Sequence, residues 1–499
     1  MDDKSSFEPR TRAGATHRHL TEGPITRTLL VFSLPVLGSN VLQSMNVTAN
    51  QFWVSHTLGV SAITAISNSN VIMMLLIGAI FGVSTAANIL VAQAVGGKNL
   101  AQVKKVMGTA ITFFFVLSGA LAVAGFLLAP LVLDAMRTPA AARAEAIIYL
   151  RIVFVAMPFM YFFMFMQMAQ RGAGDSRTPF YFSLLAVVLD VILNPLLIRG
   201  IGPFPRLGIA GSATSTLIGQ GVSLAFLTLH LYRRNSVLAI KPHELRLLIP
   251  DLRILNALVL RGMPMGIHML IMNGSAVVMI GFINHYGAVT AAAYAAASQV
   301  WTYIQMPGMA LGAAASSMAA QNIGAGKWAR VDRVAMSGLG SSLVVTSIMA
   351  LMIYALGTLP LLLFLPAGSA SVPIALHINR MVMWAFVAFN AAFALNGIVR
   401  ATGAVWQPLV ILIFSMWFIR IPFAAIFMPR WGMDAIWWSF PLGTLTSTAL
   451  VALYYKFGGW RQIRMLEPDT SGQSPDAGQG APVMDHDADE VVEPEPEAA

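Results

Sequence analysis

The stretch AQAVGGKNLAQVKKV (92–106) occurs a second time, in altered form, as AQNIGAGKWARVDRV (320–334). Identical residues recur at an offset of 228, namely Ala92 and Ala320, Gln93 and Gln321, Gly96 and Gly324, Ala101 and Ala329, Val103 and Val331, Val106 and Val334. A second pair, RGAGDSRTP (171–179) and RATGAVWQP (400–408), is separated by 229 residues, as are Pro35 and Pro264. Matches in one order and at nearly one offset indicate a chain built from two similar halves.

The composition predicts a membrane protein. Of the 499 residues, 57% are hydrophobic and only 11% are charged, whereas soluble proteins have about 25% charged residues. A membrane helix needs about 20 mostly apolar residues. Such spans are predicted at 28–51, 61–86, 105–130, 146–169, 178–199, 208–231, 255–283, 289–315, 334–361, 375–398, 407–428 and 434–456. In the second span, GAIFG (78–82) places small residues at i and i+4, which suits close contact between helices.

Each half holds six predicted spans, and because six is even, both halves enter the membrane in the same orientation. This arrangement is a parallel repeat with a pseudo-two-fold axis along the membrane normal. The expected fold is all-α, with twelve transmembrane helices in two pseudo-symmetric six-helix lobes. Such folds place a substrate site near the midplane between the halves and alternate access by rocking them. The predicted parts are an N-terminal segment (1–27), an N-lobe (28–232), a linker (233–254), a C-lobe (255–457) and a disordered acidic tail (458–499).

The distribution of charge predicts the orientation in the membrane. The chain carries 31 Lys and Arg against 22 Asp and Glu, and the Pro- and Gly-rich tail after residue 465 contains acids but no Lys or Arg. Such a tail cannot bury a core, which predicts disorder. Most bases lie in the loops that share a side with both termini, which predicts cytoplasmic termini and a bacterial inner membrane. Because these bases lie in short loops between apolar spans, they indicate orientation rather than nucleic-acid binding.

Five stretches together resemble the multidrug and toxic compound extrusion (MATE) family. They are LTEGPITRTLLVFSLP (20–35), NQFWVSHTLGVSAITAIS (50–67), AQAVGGKN (92–99), QRGAGDSRTPF (170–180) and LGIAGSATSTLIGQ (207–220). The resemblance extends over the predicted spans and is strongest in the first half. It implies an antiporter that exports organic compounds in exchange for H⁺ or Na⁺. We expect the exported compounds to be amphipathic and cationic.

Asp190 lies inside the apolar stretch LDVILNPLLI (189–198). An Asp at the centre of a membrane helix costs about 2.5–3.5 kcal/mol, which favours burial beside polar partners or a wet cavity. Asn194 shares its helix face, four residues later. MATE proteins typically carry Asp where this chain has Asn50, and Asn followed by Asp where it has Asp190 followed by Asn194. The resemblance therefore implies a cation-coupling site at Asp190, Asn194 and Asn50, where Na⁺ would bind to Asp190 and Asn194.

Other polar residues of the spans are weaker candidates. The substrate-cavity candidates are Gln43, Asn46, Gln167, Thr214, His268, Asn273 and Asn390. For each of them the alternative is an interhelical hydrogen bond, a common role of Asn, Gln and Thr in membrane bundles. Asp190 has a similar alternative, in which it bonds Asn50 or Thr214 and fixes the bundle. Arg171 and Arg400, at matching places near span ends, are interpreted as anchors of the helix ends.

Several functional classes are disfavoured. The chain has no Cys, so it forms neither a disulfide nor a thiolate metal site, and no cofactor or structural metal is expected. A flippase for lipid-linked oligosaccharides is an alternative within the same superfamily, although almost no Lys or Arg is predicted at midplane depth. A membrane-embedded enzyme would need a nucleophile or paired acids, and neither is evident. The expected partners are small-molecule substrates and the lipid bilayer, without nucleic acid, and the expected state is a monomer.

Overall fold

The computed structural model describes residues 20–58, 60–136 and 138–466, and the regular elements there are all helical. The helices are α1 Ile25–Leu58, α2 Val60–Gly96, α3 Leu100–Ala135, α4 Ala140–Gly172, α5 Arg177–Arg199, α6 Ile209–Arg233, α7 Leu252–Asn284, α8 Ala288–Gly324, α9 Trp328–Leu356, α10 Leu359–Leu362, α11 Ser371–Val382, α12 Ala385–Arg400, α13 Trp406–Ile413, α14 Ile421–Trp431 and α15 Met433–Phe457. A π-helical segment, Phe414–Arg420, joins α13 to α14, and short 3₁₀ helices occur at Pro242–Leu248 and Gly459–Gln462.

The twelve expected spans are all present as helices. In the described part of the chain, nine helical stretches are long and apolar enough to cross a membrane, and the bent pair α11–α12 makes a tenth. The remaining two are α6 and α8, with 25 and 37 residues, whose Ala, Gly and Ser content makes them less apolar. The chain is therefore an all-α membrane protein in which α1–α6 form the N-half and α7–α15 form the C-half.

Glycines of α2 bring the two halves close together. Gly78 and Gly82, the small residues of GAIFG, face α7 of the C-half. A Cβ atom on Gly82 would overlap the backbone of Gly262 and Gly266, and Gly266 faces Gly78 in return. The sequence expectation of close helix contact at this motif is confirmed, because only residues without a side chain allow the two backbones to approach so closely.

Matched hydrogen bonds join the halves at one end of the bundle. Gln93 Nε2, near the end of α2, donates to the carbonyl oxygen of Ala401 at 2.7 Å. Its repeat counterpart Gln321, near the end of α8, donates in the same way to the carbonyl oxygen of Gly172 at 2.8 Å. These contacts bring together the last turns of α2, α4, α8 and α12. We call this end of the bundle, where α1 also begins, the basic end, because Lys98, Arg177 and Lys327 lie at the adjoining helix ends.

Two glycines let α2 and α8 cross at the basic end. A Cβ atom on Gly96 would overlap the carbonyl oxygen of Gln321, and one on Gly324 would overlap that of Gln93. The segment before α1 covers the crossing, since the Leu20 amide donates to Gln321 Oε1 at 3.2 Å and the Leu20 side chain is buried. The repeated AQ-x-x-G sequence thus forms a two-fold crossing between the halves.

The folded part of the chain extends beyond the C-lobe boundary expected from the sequence. Residues 458–465 were assigned to the disordered tail, but Trp460 is fully buried, stacks on Tyr455 and donates its indole N–H to the Tyr455 carbonyl at 2.7 Å. Arg461 pairs with Asp332 at the start of α9. The aromatic and basic residues therefore dock this segment before the acidic composition begins. The rest of the predicted tail, residues 467–499, and residues 1–19 of the predicted N-terminal segment lie outside the described residues.

The predicted span 375–398 is not one straight helix. It breaks between α11 and α12, which meet at an angle of 49°. The hydroxyl of Tyr354 donates to the carbonyl oxygen of Arg380 at 3.0 Å, an oxygen that a continuous helix would offer to the amide of residue 384. A side chain from α9 thus replaces one backbone hydrogen bond of the span, and such an insertion is a known cause of kinks.

The linker between the halves carries a 3₁₀ helix that the sequence analysis did not predict. Glu244 in this helix binds Lys104 Nζ of α3 at 2.6 Å and accepts the backbone amide of Lys241. The hydrogen bond from Lys104 and that from the Lys241 amide hold the pKa of Glu244 below its ordinary value. The linker is therefore fastened to the N-half by an ion pair rather than lying free between the halves.

Candidate functional site

Helix α5 directs Asp190 and Asn194 into the N-half. Both residues are buried, and they share one face of α5 with Ser183, Ala186 and Leu197. The helix ends at Gly200, whose left-handed backbone (φ 72°) is a common helix terminator. Because α1 and α6 pack against this face, the carboxylate of Asp190 points at their polar side chains rather than at lipid.

Four side chains donate to the Asp190 carboxylate. From α1, Asn46 Nδ2 and Asn50 Nδ2 reach Oδ2 at 2.9 and 3.1 Å. From α6, the Ser215 hydroxyl donates to Oδ1, and the Thr216 hydroxyl lies 3.2 and 3.3 Å from the two oxygens. Buried charges are tolerated when they are hydrogen-bonded in this way. Asp190 is the only buried acid among the described residues, and it ties α1, α5 and α6 together.

Amide oxygens surround the carboxylate and extend the set of possible cation ligands. Asn194 Nδ2 donates to Asn50 Oδ1, which orients both amides. The Oδ1 atoms of Asn46 and Asn194 are buried and accept no hydrogen bond from the residues that the structure describes. Carboxylate and amide oxygens are ligands that hard cations prefer, and a buried acceptor without a donor is costly. The residues that the resemblance implied as a coupling site are thus brought together, with Asn46 added to them.

A cavity of about 320 Å³ lies inside the N-half. Three of the predicted cavity residues, Gln43, Asn46 and Gln167, line it. A separate pocket of about 470 Å³ lies nearer the opposite end of the bundle and is lined by Asn50. Each of the two spaces therefore includes one donor to Asp190. The carboxylate, which is 2% exposed, lies behind these donors rather than on either wall.

The remaining predicted residues do not join this site. His268 lines a separate cavity of about 30 Å³ in the C-half, and half-buried Asn273 lines none of the cavities described above. Asn390 is fully buried and donates to the Ile304 carbonyl and to Thr346 Oγ1 at 3.3 and 2.9 Å. It therefore forms an interhelical contact, the alternative that the sequence analysis gave for such residues.

Sequence reasoning missed the residues of α6 that contact Asp190. It named Thr214, which is half-buried and is absent from the donors to Asp190 described above, whereas Ser215 and Thr216 are among them. Successive residues of a helix point about 100° apart, so an error of one position changes the partner. The run of three hydroxyl residues was visible in the sequence, but its rotation relative to α5 was not.

Two arginines are buried in the bundle. Arg171, interpreted as an anchor, is buried and lines the N-half cavity. Arg420, which the predicted span 407–428 includes, is buried within the stretch from Trp406 to Trp431, with its guanidinium 3.6 Å from the centre of the Phe440 ring. The interior of the bundle thus holds two guanidinium groups, of which the predicted span boundaries included only Arg420.

The family model for MatE matches the chain twice, over residues 35–196 and 264–426. The two matches start at Pro35 and Pro264, the prolines that mark the repeat in the sequence. The chain belongs to the MatE family. The resemblance to MATE proteins noted in the sequence is confirmed, and the two halves of this family member each correspond to one copy of the family domain.

Curated relatives of this MatE protein are named as transporters. It is 34% identical over 435 residues to the Probable multidrug resistance protein YoeA of Bacillus subtilis, covering 87% of this chain and 94% of that protein. It is 28% identical over 333 residues to the FAD transporter of Shewanella oneidensis, covering 66% and 72% of the two chains. The relatives named as multidrug resistance proteins place the chain among multidrug efflux transporters.

The fold is also that of solved MATE structures. One, described as the outward-facing conformation of a multidrug resistance MATE family transporter of the MOP superfamily, superimposes with a TM-score of 0.82. The two chains are 18% identical, and the match covers 89% of this chain and 98% of the other. The twelve-span, two-half arrangement is therefore shared with that transporter.

Proposed function

We propose that this MatE protein exports amphipathic small organic compounds in exchange for H⁺ or Na⁺, and that Asp190 binds the coupling ion. The observation that carries the proposal is the position of Asp190, a buried carboxylate two of whose four donors, Asn46 and Asn50, line separate spaces of the N-half. Ionisable residues inside membrane spans are functional by default, because they are costly to keep there.

Exchange follows if the coupling ion and the compound favour different conformations. A proton on Asp190 would remove one acceptor site and force one of the four donors to turn away. A sodium ion would instead draw the unpartnered oxygens of Asn46 and Asn194 toward the carboxylate. Both events act on Asn46, which also lines the cavity, so occupancy of the ion site changes the wall that a compound meets.

The orientation follows from the charges of the loops. We propose that the basic end faces the cytoplasm of a bacterial cell, since Lys and Arg concentrate in cytoplasmic loops. In the present conformation the halves meet at this end, which leaves the opposite end as the side of release. One chain supplies both halves, and we propose that it acts as a monomer without a cofactor.

The class of compound is a separate question from the coupling. The expectation of cationic compounds derives from the family resemblance, and the curated relatives include both multidrug resistance proteins and an FAD transporter. The N-half cavity has polar amides, Met and aromatic side chains on its wall, which suits an amphipathic compound. The sign of its charge is argued separately below.

The test compares Asp190→Asn with Asp434→Asn in liposomes with imposed H⁺ or Na⁺ gradients. Asp434 is an exposed acid of the C-half that pairs with His377, so its substitution controls for the loss of a carboxylate. Asp190→Asn is expected to reduce gradient-driven dye transport to the level of empty liposomes, whereas Asp434→Asn keeps it. The gradient that drives the wild type identifies the ion. Coupled transport that survives in folded Asp190→Asn would remove Asp190 from the mechanism.

A further inference from the structure

Arg171 is a buried cation that has no ionic partner among the described residues. It lies at the end of α4, is 8% exposed and lines the N-half cavity. Within the part of the chain that the structure describes, its Nε atom is buried and has no hydrogen-bond partner, and Nη1 approaches only the sulfur of Met168, at 4.0 Å. Thioether sulfur is a weak acceptor. The guanidinium therefore has donors to spare on the side of the cavity.

Such a group is expensive unless something pairs with it. Arginine stays protonated in proteins, and buried charges are normally paired because their desolvation costs several kcal/mol. In the described part of the chain Asp190 is the only buried acid, and its two oxygens are already occupied by donors from α1 and α6. The charge left unbalanced on the cavity wall is positive.

The surrounding wall supplies further donors and an apolar surface. Gln43 and Gln167 line the same cavity, and Gln167 Oε1 accepts from the Ser183 hydroxyl at 3.2 Å. This contact uses the amide oxygen and leaves the amide nitrogen, a donor, for other partners. Phe81 and Met164 form part of the apolar wall. Donors, one cation and an apolar surface together match a compound with an anionic oxygen group and an apolar body.

We infer that the N-half cavity binds amphipathic organic anions, whose carboxylate or similar oxygen group pairs with Arg171. The inference rests on the proposed transport function and names the charge of its cargo. It places the acidic group beside Arg171 at the basic end and the apolar body deeper in the cavity. Because the guanidinium is planar and presents several N–H groups, it can bind such an oxygen pair in bidentate fashion.

The position of Arg171 also suits loading from the basic end. The next residue, Gly172, accepts the hydrogen bond from Gln321 that joins the two halves. When the halves separate at this end, Gln321 moves away from Gly172, the residue next to Arg171. An anion would therefore meet Arg171 first on entering and would replace the missing partner of the guanidinium.

The internal repeat provides a matched control. Arg400 is the counterpart of Arg171, at the end of α12, but it is only half-buried. Its Nε donates to the Asn396 carbonyl at 3.2 Å, and its guanidinium lies 5.5 Å from the centre of the Phe393 ring. Arg400 thus has partners within its own helix, as expected for an anchor, and its loss should not affect an anion in the N-half.

The experiment measures equilibrium binding of two dyes to the purified full-length protein without any ion gradient. Fluorescein carries a carboxylate, whereas rhodamine 123 has the same ring system and a positive charge. The wild type is expected to bind fluorescein more tightly. Arg171→Gln should weaken fluorescein binding by about tenfold or more, the loss of one charge-assisted contact, and leave rhodamine 123 unweakened. Arg171→Lys should retain part of the preference, and Arg400→Gln should match the wild type.

Tighter binding of rhodamine 123 by the wild type would overturn the inference, as would equal losses of both dyes in Arg171→Gln or the same loss in Arg400→Gln. If Arg171→Gln does not fold, the wild-type dye preference and Arg171→Lys still decide. Gradient-driven transport by Asp190→Asn tests the coupling proposal, whereas the dye preferences of the wild type and of Arg171→Gln test the anion site, so the two proposals can fail separately. If the wild type shows gradient-driven transport but does not prefer fluorescein to rhodamine 123, the anion site alone is rejected.

Discussion

Asp190 shows how a carboxylate is kept inside a membrane bundle. Its neighbours on α1 and α6 donate hydrogen bonds to both oxygens, which replaces the water that the group loses on burial. Each donor is also a tie between α5 and another helix. The structural and the functional interpretations of this residue therefore share the same contacts, and only substitutions that separate stability from coupling can distinguish them.

Removal of one donor should cost stability in a predictable way. Ser215→Ala deletes the hydroxyl that donates to Asp190 Oδ1 in a fully buried position. We expect the free energy of unfolding to fall by about 1–3 kcal/mol, the usual range for a buried hydrogen bond to a charged group. Denaturant unfolding in detergent measures this. Ser223→Ala is the control, because Ser223 lies on the same helix and is fully buried, and its hydroxyl makes no hydrogen bond in the described part of the chain.

Ser223→Ala is expected to leave the free energy of unfolding unchanged or to raise it, because it removes a buried hydroxyl that makes no hydrogen bond with the described residues. Equal destabilisation by the two serine substitutions would contradict the assignment of Ser215 as a partner of Asp190.

Among the residues of the site, Asp190, Asn194 and Asn50 could be predicted from the chemistry of the sequence and from its family resemblance. Ser215 could not be predicted in the same way, because the rotation of α6 about its axis depends on packing that hydroxyl residues alone do not encode.

Among the helices, α2 depends on small residues over much of its length. It packs against α7 through Gly82, where a Cβ atom would overlap backbone atoms of Gly262 and Gly266. Backbone cannot move aside as a flexible side chain can, so this contact defines how closely the halves approach. The GAIFG motif was sufficient to predict close contact, but it did not identify α7 as the partner.

Gly82→Ala should therefore destabilise the protein by about 1–3 kcal/mol, as overpacking of a tight interface does. The control is Gly119→Ala in α3, where a Cβ atom would meet nothing within 4 Å. Alanine is the better helix former, so this control should be neutral or slightly stabilising. Thermal unfolding of the two purified variants measures the difference, and similar unfolding temperatures would refute the close contact.

The irregular elements were beyond sequence reasoning for a physical reason. The break between α11 and α12 depends on the Tyr354 hydroxyl, which reaches from α9 to a carbonyl that the span would otherwise use. The π-helical segment buries Arg420 against Phe440 of α15. In both cases the irregular backbone contacts a residue that is far away in the sequence. The hydropathy of the segment itself does not reveal such a contact.

Across the whole molecule, the repeat determines the contact between the halves. The sequence predicted two six-span halves from three matched stretches, and the structure adds what those stretches do. Each copy of AQ-x-x-G donates a glutamine hydrogen bond to the other half and supplies a glycine at the crossing. Because the crossing lies at the basic end, its stability sets how often the protein opens toward that side.

A bulkier residue at the crossing should shift this equilibrium. Gly96→Ala would place a methyl group against the Gln321 carbonyl and make the present conformation strained. The chain lacks cysteine, so Ser317→Cys, at a position buried beside Asn88 of α2, gives a clean reporter. We expect maleimide to label this cysteine at least several-fold faster in the Gly96→Ala background, because opening of the basic end exposes it. Gly340→Ala in α9, where a Cβ atom meets nothing within 4 Å, should leave the labelling rate unchanged. Equal labelling rates with and without Gly96→Ala would mean that the crossing does not control access to the basic end. The rocking motion of the halves would then depend on another contact.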